Sequence, residues 1–186
     1  MKRFFDFNLA LLLFLLLLIP MIIIAICVRL TSKGSALHWS DRVGQNNVIF
    51  KMPKFRSMWE ETPAIPTHLV SDHDELLSPI GNFLRKTSLD ELPQLYSVLK
   101  GDMSFVGPRP ALFNQDDLIE LRKENGIDKL MPGITGWAQI NGRDELTIFH
   151  KVSLEMDYVE KKSFWFDMKI LWMTLLKVLK RDNIVH

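Results

Sequence analysis

Cysteine is nearly absent from this chain. One residue in 186, Cys27, excludes a disulfide framework and leaves nothing that asks for an oxidising compartment. An excess of charge of either sign is absent too. With 23 Lys and Arg against 22 Asp and Glu, the net charge is +1. No global basic field points to nucleic acid, which is not expected as a partner. No internal repeat or low-complexity segment appears, and the length suits one domain with an appendage. The most informative absence is local: Leu9 to Val28 carries no charged residue over 20 positions. As a helix that run is about 30 Å long, the thickness of a bilayer core.

The run exceeds a secretory h-region. Bulky Ile26 stands where a lipoprotein cleavage site takes a small residue ahead of its cysteine. Residues 1–36 are therefore expected to be a retained membrane anchor, and 37–186 the catalytic domain. Lys2 and Arg3 precede the run, Arg29 and Lys33 follow it, and both pairs favour the cytoplasmic side. Pro20 removes one backbone hydrogen bond just past the middle. A helix broken there that leaves by the face it entered satisfies both observations. A straight span with a proline kink is the alternative.

The rest of the chain is organised around Thr87-Ser88-Leu89-Asp90-Glu91-Leu92-Pro93-Gln94-Leu95. Pro93 suits the start of a helix that runs to Lys100 and stops at Gly101. Asp90 and Glu91 then sit at a helix N-terminus, where the dipole favours their ionised forms, and an ionised Asp there can be a nucleophile. Ser88-x-x-Glu91 is equally a capping box, which gives the acids a purely structural role.

Elsewhere the signals are individually two-sided. Val48 to Met58 alternates as a strand following a turn at Arg42 to Asn47, with Phe50, Met52, Lys54 and Arg56 on one face. Lys54 and Arg56 either meet an anion together or are solvated charges on a hairpin, and Pro53 makes the strand an edge. Glu60 to Pro79 reads as a surface loop, since His68 and His73 with Asp72, Asp74 and Glu75 match no familiar ligand spacing. Gly107-Pro108-Arg109-Pro110 holds one arginine between two prolines, either as an anion site or as a rigid turn. Ala111 to Gly126 reads as a helix, acidic at its start and basic toward its end. Met131 to Arg143, rich in Gly and Pro, suggests a loop whose backbone approaches a ligand. A helix is expected over Glu145 to Lys161. Phe164 to Lys180, with Trp165, Trp172, Lys169, Lys177 and Lys180, suits a helix in the membrane surface, or else a buried core helix.

Paired carboxylates beside phosphate-binding cations call for a divalent ion, usually Mg²⁺, to screen them from an anionic substrate. The chemistry that fits is phosphoryl transfer on a membrane-embedded acceptor. The motifs Lys54-Phe55-Arg56-Ser57-Met58, Ser88 to Gln94, Lys100 to Ser104, Gly107-Pro108-Arg109-Pro110, Pro132 to Gly136 and Asn141-Gly142-Arg143 carry a resemblance. In order and spacing, from about Arg42 to Lys180, the chain resembles the bacterial sugar transferase family. These are monotopic phosphoglycosyl transferases that begin polyprenyl-linked glycan synthesis. The size resembles members made of the catalytic domain and its anchor alone.

The resemblance implies an α+β, mostly helical fold. It would have an N-terminal re-entrant membrane helix, a small β-hairpin and interfacial amphipathic helices around a compact catalytic domain. It implies transfer of phospho-sugar from a UDP-sugar to polyprenyl phosphate, with release of UMP and with downstream glycosyltransferases as further partners. Asp90 would be the nucleophile of an acyl-phosphate intermediate. Glu91 would hold Mg²⁺ with Asp90 or position the acceptor. Arg85, Arg109 and Arg143 would hold phosphates, as would Lys54 and Arg56. The location implied is the bacterial inner membrane, with the domain and its lipid contacts on the cytoplasmic face. In two places the chain departs from the family: Ile19 precedes Pro20 where Ser is frequent, and Asn46-Asn47 replaces a glycine in the hairpin turn. A glycosidase is excluded, because neighbouring carboxylates cannot flank a sugar. A non-catalytic membrane adaptor is the remaining alternative.

Overall fold

A computed structural model describes residues 1–59, 76–142 and 146–180. Its first element is the helix α1, Lys2–Thr31, which carries Pro20 within it and stays helically assigned through that residue. Strands β1 (Leu37–Val43) and β2 (Ile49–Phe55) form an antiparallel hairpin, Leu37 opposite Phe55 and Val43 opposite Ile49. The turn between them holds Asn46 and Asn47 at φ 55° and 59°. Asparagine tolerates that left-handed geometry, so the missing glycine is replaced without harm. β4 (Ala111–Leu112) pairs with the other side of β1, which leaves β2, with its Pro53, on the edge as expected.

Short helices α2 (Gly81–Lys86) and α3 (Gln94–Lys100) flank the acidic pair. Gly101 ends α3 at φ 103°, the left-handed stop that its sequence position called for. β3 (Ser104–Val106) pairs in parallel with β5 (Gly133–Thr135). The helix expected from Ala111 is shorter: residues 111 and 112 are drawn into the sheet, and α4 begins at Asp116 and runs to Glu124. Helices α5 (Trp137–Ile140), α6 (Ile148–Lys161, capped by Thr147) and α7 (Phe164–Lys180) complete the chain. The α+β, mostly helical fold expected above is thus the one observed.

The glycines of the 107–136 region have a structural reason that differs from ligand approach. A Cβ on Gly133 or Gly136 would stand 2.1 Å from the Gly107 backbone, and one on Gly107 would stand 2.2 Å from the Met131 carbonyl. Backbone crosses backbone here, and only glycine allows it.

The largest core cluster joins Phe50, Met52, Leu95, Val98, Met103, Phe105, Ile140, Tyr158 and Ile170 to Ala10 of the apolar helix. Farther along α1, Val28 packs with Phe55 and Leu84. Both ends of α1 are also bound by polar contacts to the domain. Asp6 accepts from Ser104 Oγ at 2.8 Å, Arg3 donates to the last carbonyls of α3, and Ser32 Oγ accepts from Arg56 at 3.4 Å. The opposite face of α1, including Leu15, Leu16, Ile19 and Ile22, is exposed. α7 is not a fully buried helix. Ile170 and Asp167 face inward, while Trp165, Lys169 and Trp172, one helical stripe, face outward. α7 therefore lies on the outside of the domain with one flank exposed, rather than as a buried core helix.

Away from the site, Arg122 of α4 and Glu155 of α6 form a buried two-point ion pair. Arg122→Met leaves Glu155 buried without its counter-charge and is expected to destabilise by about 3–5 kcal/mol. This is read as a lower thermal midpoint by circular dichroism in detergent, with a smaller loss in the Arg122→Met, Glu155→Leu double variant.

Candidate active site

Leu89–Glu91 form a single 3₁₀ turn between α2 and α3, and Pro93 stands at the entry of α3. Ser88 enters this turn in the left-handed region, φ 56° and ψ 18°, and its hydroxyl makes no capping bond. The capping-box reading fails on that geometry. A serine held in a sparsely populated backbone region instead sets the direction in which Asp90 and Glu91 leave the chain.

Glu91 points at cations. Its Oε1 accepts from Lys54 Nζ at 2.9 Å and from Arg109 Nη2 at 3.0 Å. Burial alone would raise this carboxyl. The fields of Lys54 and Arg109, with their hydrogen bonds, outweigh burial and hold it well below the usual carboxylate range. Asp90 is 6% exposed and accepts no hydrogen bond from any described residue. Burial pushes its carboxyl up, Glu91 adds to that, and Lys54, Arg85 and Arg109 oppose it. The dipole argument from sequence, which favoured ionisation of both acids, therefore does not hold for Asp90. The seven-residue α3 is too short a source of field to offset desolvation of a buried acid.

Arg85 stands at the end of α2, where its Nε donates to Ser57 Oγ at 3.1 Å and its Nη2 reaches Met58 Sδ at 3.2 Å. Ser57 and Met58 were not singled out from sequence as its partners. The signal was their place in the same short run as Lys54. The structure thus brings together Asp90, Glu91, Lys54, Arg85 and Arg109, from a strand, two turns and a helix end. Among the described residues Arg56 is not joined to them: period-2 geometry puts it on the Lys54 face, but its buried side chain donates to Ser32, the residue that ends α1. Arg143, and the loop carrying His68, Asp72, His73, Asp74 and Glu75, lie outside the described residues.

Among the described residues three cations thus stand near two carboxylates, a grouping that can receive an anionic phosphate ester. One Glu91 oxygen is filled by Lys54 and Arg109, which leaves its second oxygen and the Asp90 carboxylate. No group of three or more His, Cys, Asp or Glu side chains gathers among the described residues. Two carboxylates are the share a protein commonly supplies to Mg²⁺, with waters and substrate phosphates completing the shell, so the donor set fits that ion. A buried, weakly partnered aspartate beside fixed cations can attack a phosphorus atom.

Comparison with known proteins gives a match to the family model described as bacterial sugar transferase over residues 1–181. The chain is 40% identical over 185 residues to a UDP-glucose:undecaprenyl-phosphate glucose-1-phosphate transferase of Escherichia coli (strain K12), covering 95% of this chain and 40% of that protein. It is 38% identical over 193 residues to an undecaprenyl-phosphate glucose phosphotransferase of Komagataeibacter xylinus, covering 98% and 36%. With the uncharacterized sugar transferase EpsL of Bacillus subtilis (strain 168) it shares 39% identity over 184 residues, covering 99% and 90%. The chain therefore spans well under half the length of the first two of these relatives and nearly all of the third.

In metal-free buffer, a carbon-detected NMR titration is expected to place the Asp90 carboxyl above the ordinary aspartate value. Lys54→Met should raise it further, because the strongest opposing field is gone. An unshifted or lower value in that variant would contradict the assignment of Lys54 as its counter-ion.

Proposed function

The chain belongs to the bacterial sugar transferase family, and from that premise we propose that it transfers phospho-sugar from a UDP-sugar to polyprenyl phosphate. The observation that carries this reading is the buried Asp90, which accepts no hydrogen bond from any described residue and lies in the field of Lys54, Arg85 and Arg109. In the first step an Asp90 oxygen attacks the phosphorus that bears the sugar. The bond from that phosphorus to the bridging oxygen breaks, UMP leaves with the electron pair, and an aspartyl-phosphosugar remains. In the second step an oxygen of the lipid phosphate attacks the same phosphorus, and the Asp90 carboxylate leaves. Polyprenyl-diphosphate-sugar is the product, and ping-pong kinetics follow.

Arg109 and Arg85 hold phosphate oxygens in this scheme, and Lys54 offsets the charge of the two acids. Arg109 can exchange its bond to Glu91 Oε1 for a substrate oxygen, since a charge-assisted bond replaces one of like strength. Asp90 and Glu91 would hold Mg²⁺, which when bound screens the carboxylates from the diphosphate and stabilises charge on the leaving phosphate. An adaptor role for the chain gives no reason for a buried aspartate in the field of Lys54, Arg85 and Arg109.

The apolar helix α1 suggests association with a membrane. We place residues 1–36 in the inner membrane as the anchor and 37–186 on the cytoplasmic face, with α7 in the lipid surface. A re-entrant path is supported by the contacts of both ends of α1 with the domain: Asp6 with Ser104 at one end, Ser32 with Arg56 at the other. A helix crossing the bilayer once would carry one end away from the domain. The outward Leu and Ile side chains of its middle then face lipid.

Detergent-purified protein supplied with Mg²⁺, a UDP-sugar and polyprenyl phosphate is expected to release UMP, and chelation with EDTA to stop it. Asp90→Asn should abolish release without lowering the thermal midpoint, and mass spectrometry of parent enzyme incubated with UDP-sugar alone should find the phosphosugar adduct on Asp90. Retained turnover in Asp90→Asn would remove it as nucleophile. For topology, cysteines placed beside Lys2 and beside Lys33 should both be labelled from the cytoplasmic side only; labelling from opposite sides would establish a single crossing.

A further inference from the structure

The segment that carries Arg109 runs between β3 and β4, and its last strand bond before the prolines is the Gly107 N–H to the Thr135 carbonyl at 2.9 Å. Pro108 and Pro110 supply no N–H, so two of its donors are missing. Its carbonyls are instead taken at alternate residues by donors from distant parts of the chain. Val106 O accepts from Lys2 Nζ at 2.8 Å, Pro108 O from the Gly133 N–H at 2.9 Å, and Pro110 O from Arg42 Nη1 at 3.3 Å. These donors come from α1, β5 and β1. Two of them are side-chain cations that the scheme above does not use.

We propose that Lys2 and Arg42 are positioning residues which, through the Val106 and Pro110 carbonyls, aim Arg109 at the Asp90–Glu91 pair. Both arms of this clamp are themselves fixed. Besides Val106 O, the Lys2 ammonium meets Asp167 Oδ2 at 2.6 Å and Tyr158 Oη at 3.1 Å, which matches its three N–H donors. The Tyr158 hydroxyl donates in turn to Asp167 Oδ1 at 2.7 Å. Arg42 is steadied by its Nε donating to Ser40 Oγ at 3.0 Å. The two cations bracket the prolines, so the residue between them has its backbone held on both sides. Lys2 lies in the first turn of α1, and seating that helix on the domain therefore also sets the aim of Arg109.

The inference rests on Arg109 as a phosphate ligand in the reaction proposed above. Displacing a substrate-holding group by about 1 Å costs on the order of 10²-fold in rate. Losing one of the three carbonyl contacts is expected to cost about 10-fold, on the same scale. The test is a double-mutant cycle on the full chain in detergent. Lys2→Met and Arg42→Gln should each lower UMP release about 10-fold, and by less than about 2-fold in an Arg109→Gln background, because the residue they aim is gone. Equal fold-losses with and without Arg109 would overturn the proposal.

Hydrogen–deuterium exchange without any substrate gives a readout independent of the reaction. Uptake over residues 104–112 should rise in both single variants while uptake over α2 stays at the parent level. Unchanged uptake over 104–112 in both variants would also overturn the clamp. If Lys2→Met fails to insert, Arg42→Gln, on the hairpin and outside the anchor, decides alone. A parent that releases no UMP counts against the reaction, and the exchange result then decides the clamp by itself.

Discussion

One carboxylate oxygen, Oε1 of Glu91, receives both Lys54 and Arg109. The three residues come from an edge strand, a 3₁₀ turn and a proline-bounded loop, so this shared acceptor fixes the spacing of three otherwise separate pieces of chain. It sits in a desolvated place, where taking away either partner leaves the carboxylate with a single counter-ion. Asp90, one residue earlier in the same turn, takes its position from that constraint. Its own carboxyl is left with no hydrogen-bond donor among the described residues. The two neighbouring acids thus stand in different surroundings: one Glu91 oxygen is engaged by two cations, while Asp90 feels the cations only through their fields.

The charge balance also changes how the acids should be viewed. Two adjacent carboxylates, taken alone, repel a diphosphate. Lys54, Arg85 and Arg109 oppose that repulsion among the described residues. Screening by the divalent ion proposed above would add to a field that the fold already supplies. Burial sharpens every term in this balance, because charges interact more strongly where water is excluded.

Much of this arrangement was legible in the residues wherever a local rule decides the outcome. Pro93 and Gly101 bracket α3, Pro53 marks an edge strand, Asn46 and Asn47 take left-handed geometry, and Phe164–Lys180 forms one helix. Rules failed where tertiary partners override them. Ser88 does not cap, because its backbone is turned into the left-handed region and Glu91 has stronger partners in two cations. Ala111 and Leu112 leave the expected helix for a place beside β1. Gly107, Gly133 and Gly136 serve a backbone crossing that no single segment reveals. Lys2 and Arg3 keep their place in a positive-inside count and in addition find acceptors within the domain, which no local rule reveals. Arg56 shares a strand face with Lys54 and still goes elsewhere, since Ser32 at the end of α1 lies against it.

Ala10, fully inaccessible, belongs to the same cluster as Phe50, Met52 and Leu95, while the opposite flank of its helix presents bare Leu and Ile. With α1 in the membrane, as proposed above, hydrocarbon rather than more polypeptide would complete the outermost layer of this protein's interior. Acyl chains would then act as part of its packing, and an unfolding free energy would have meaning only when the surrounding amphiphile is specified. Lipid thickness and chain order would become determinants of how tightly the aqueous half is assembled.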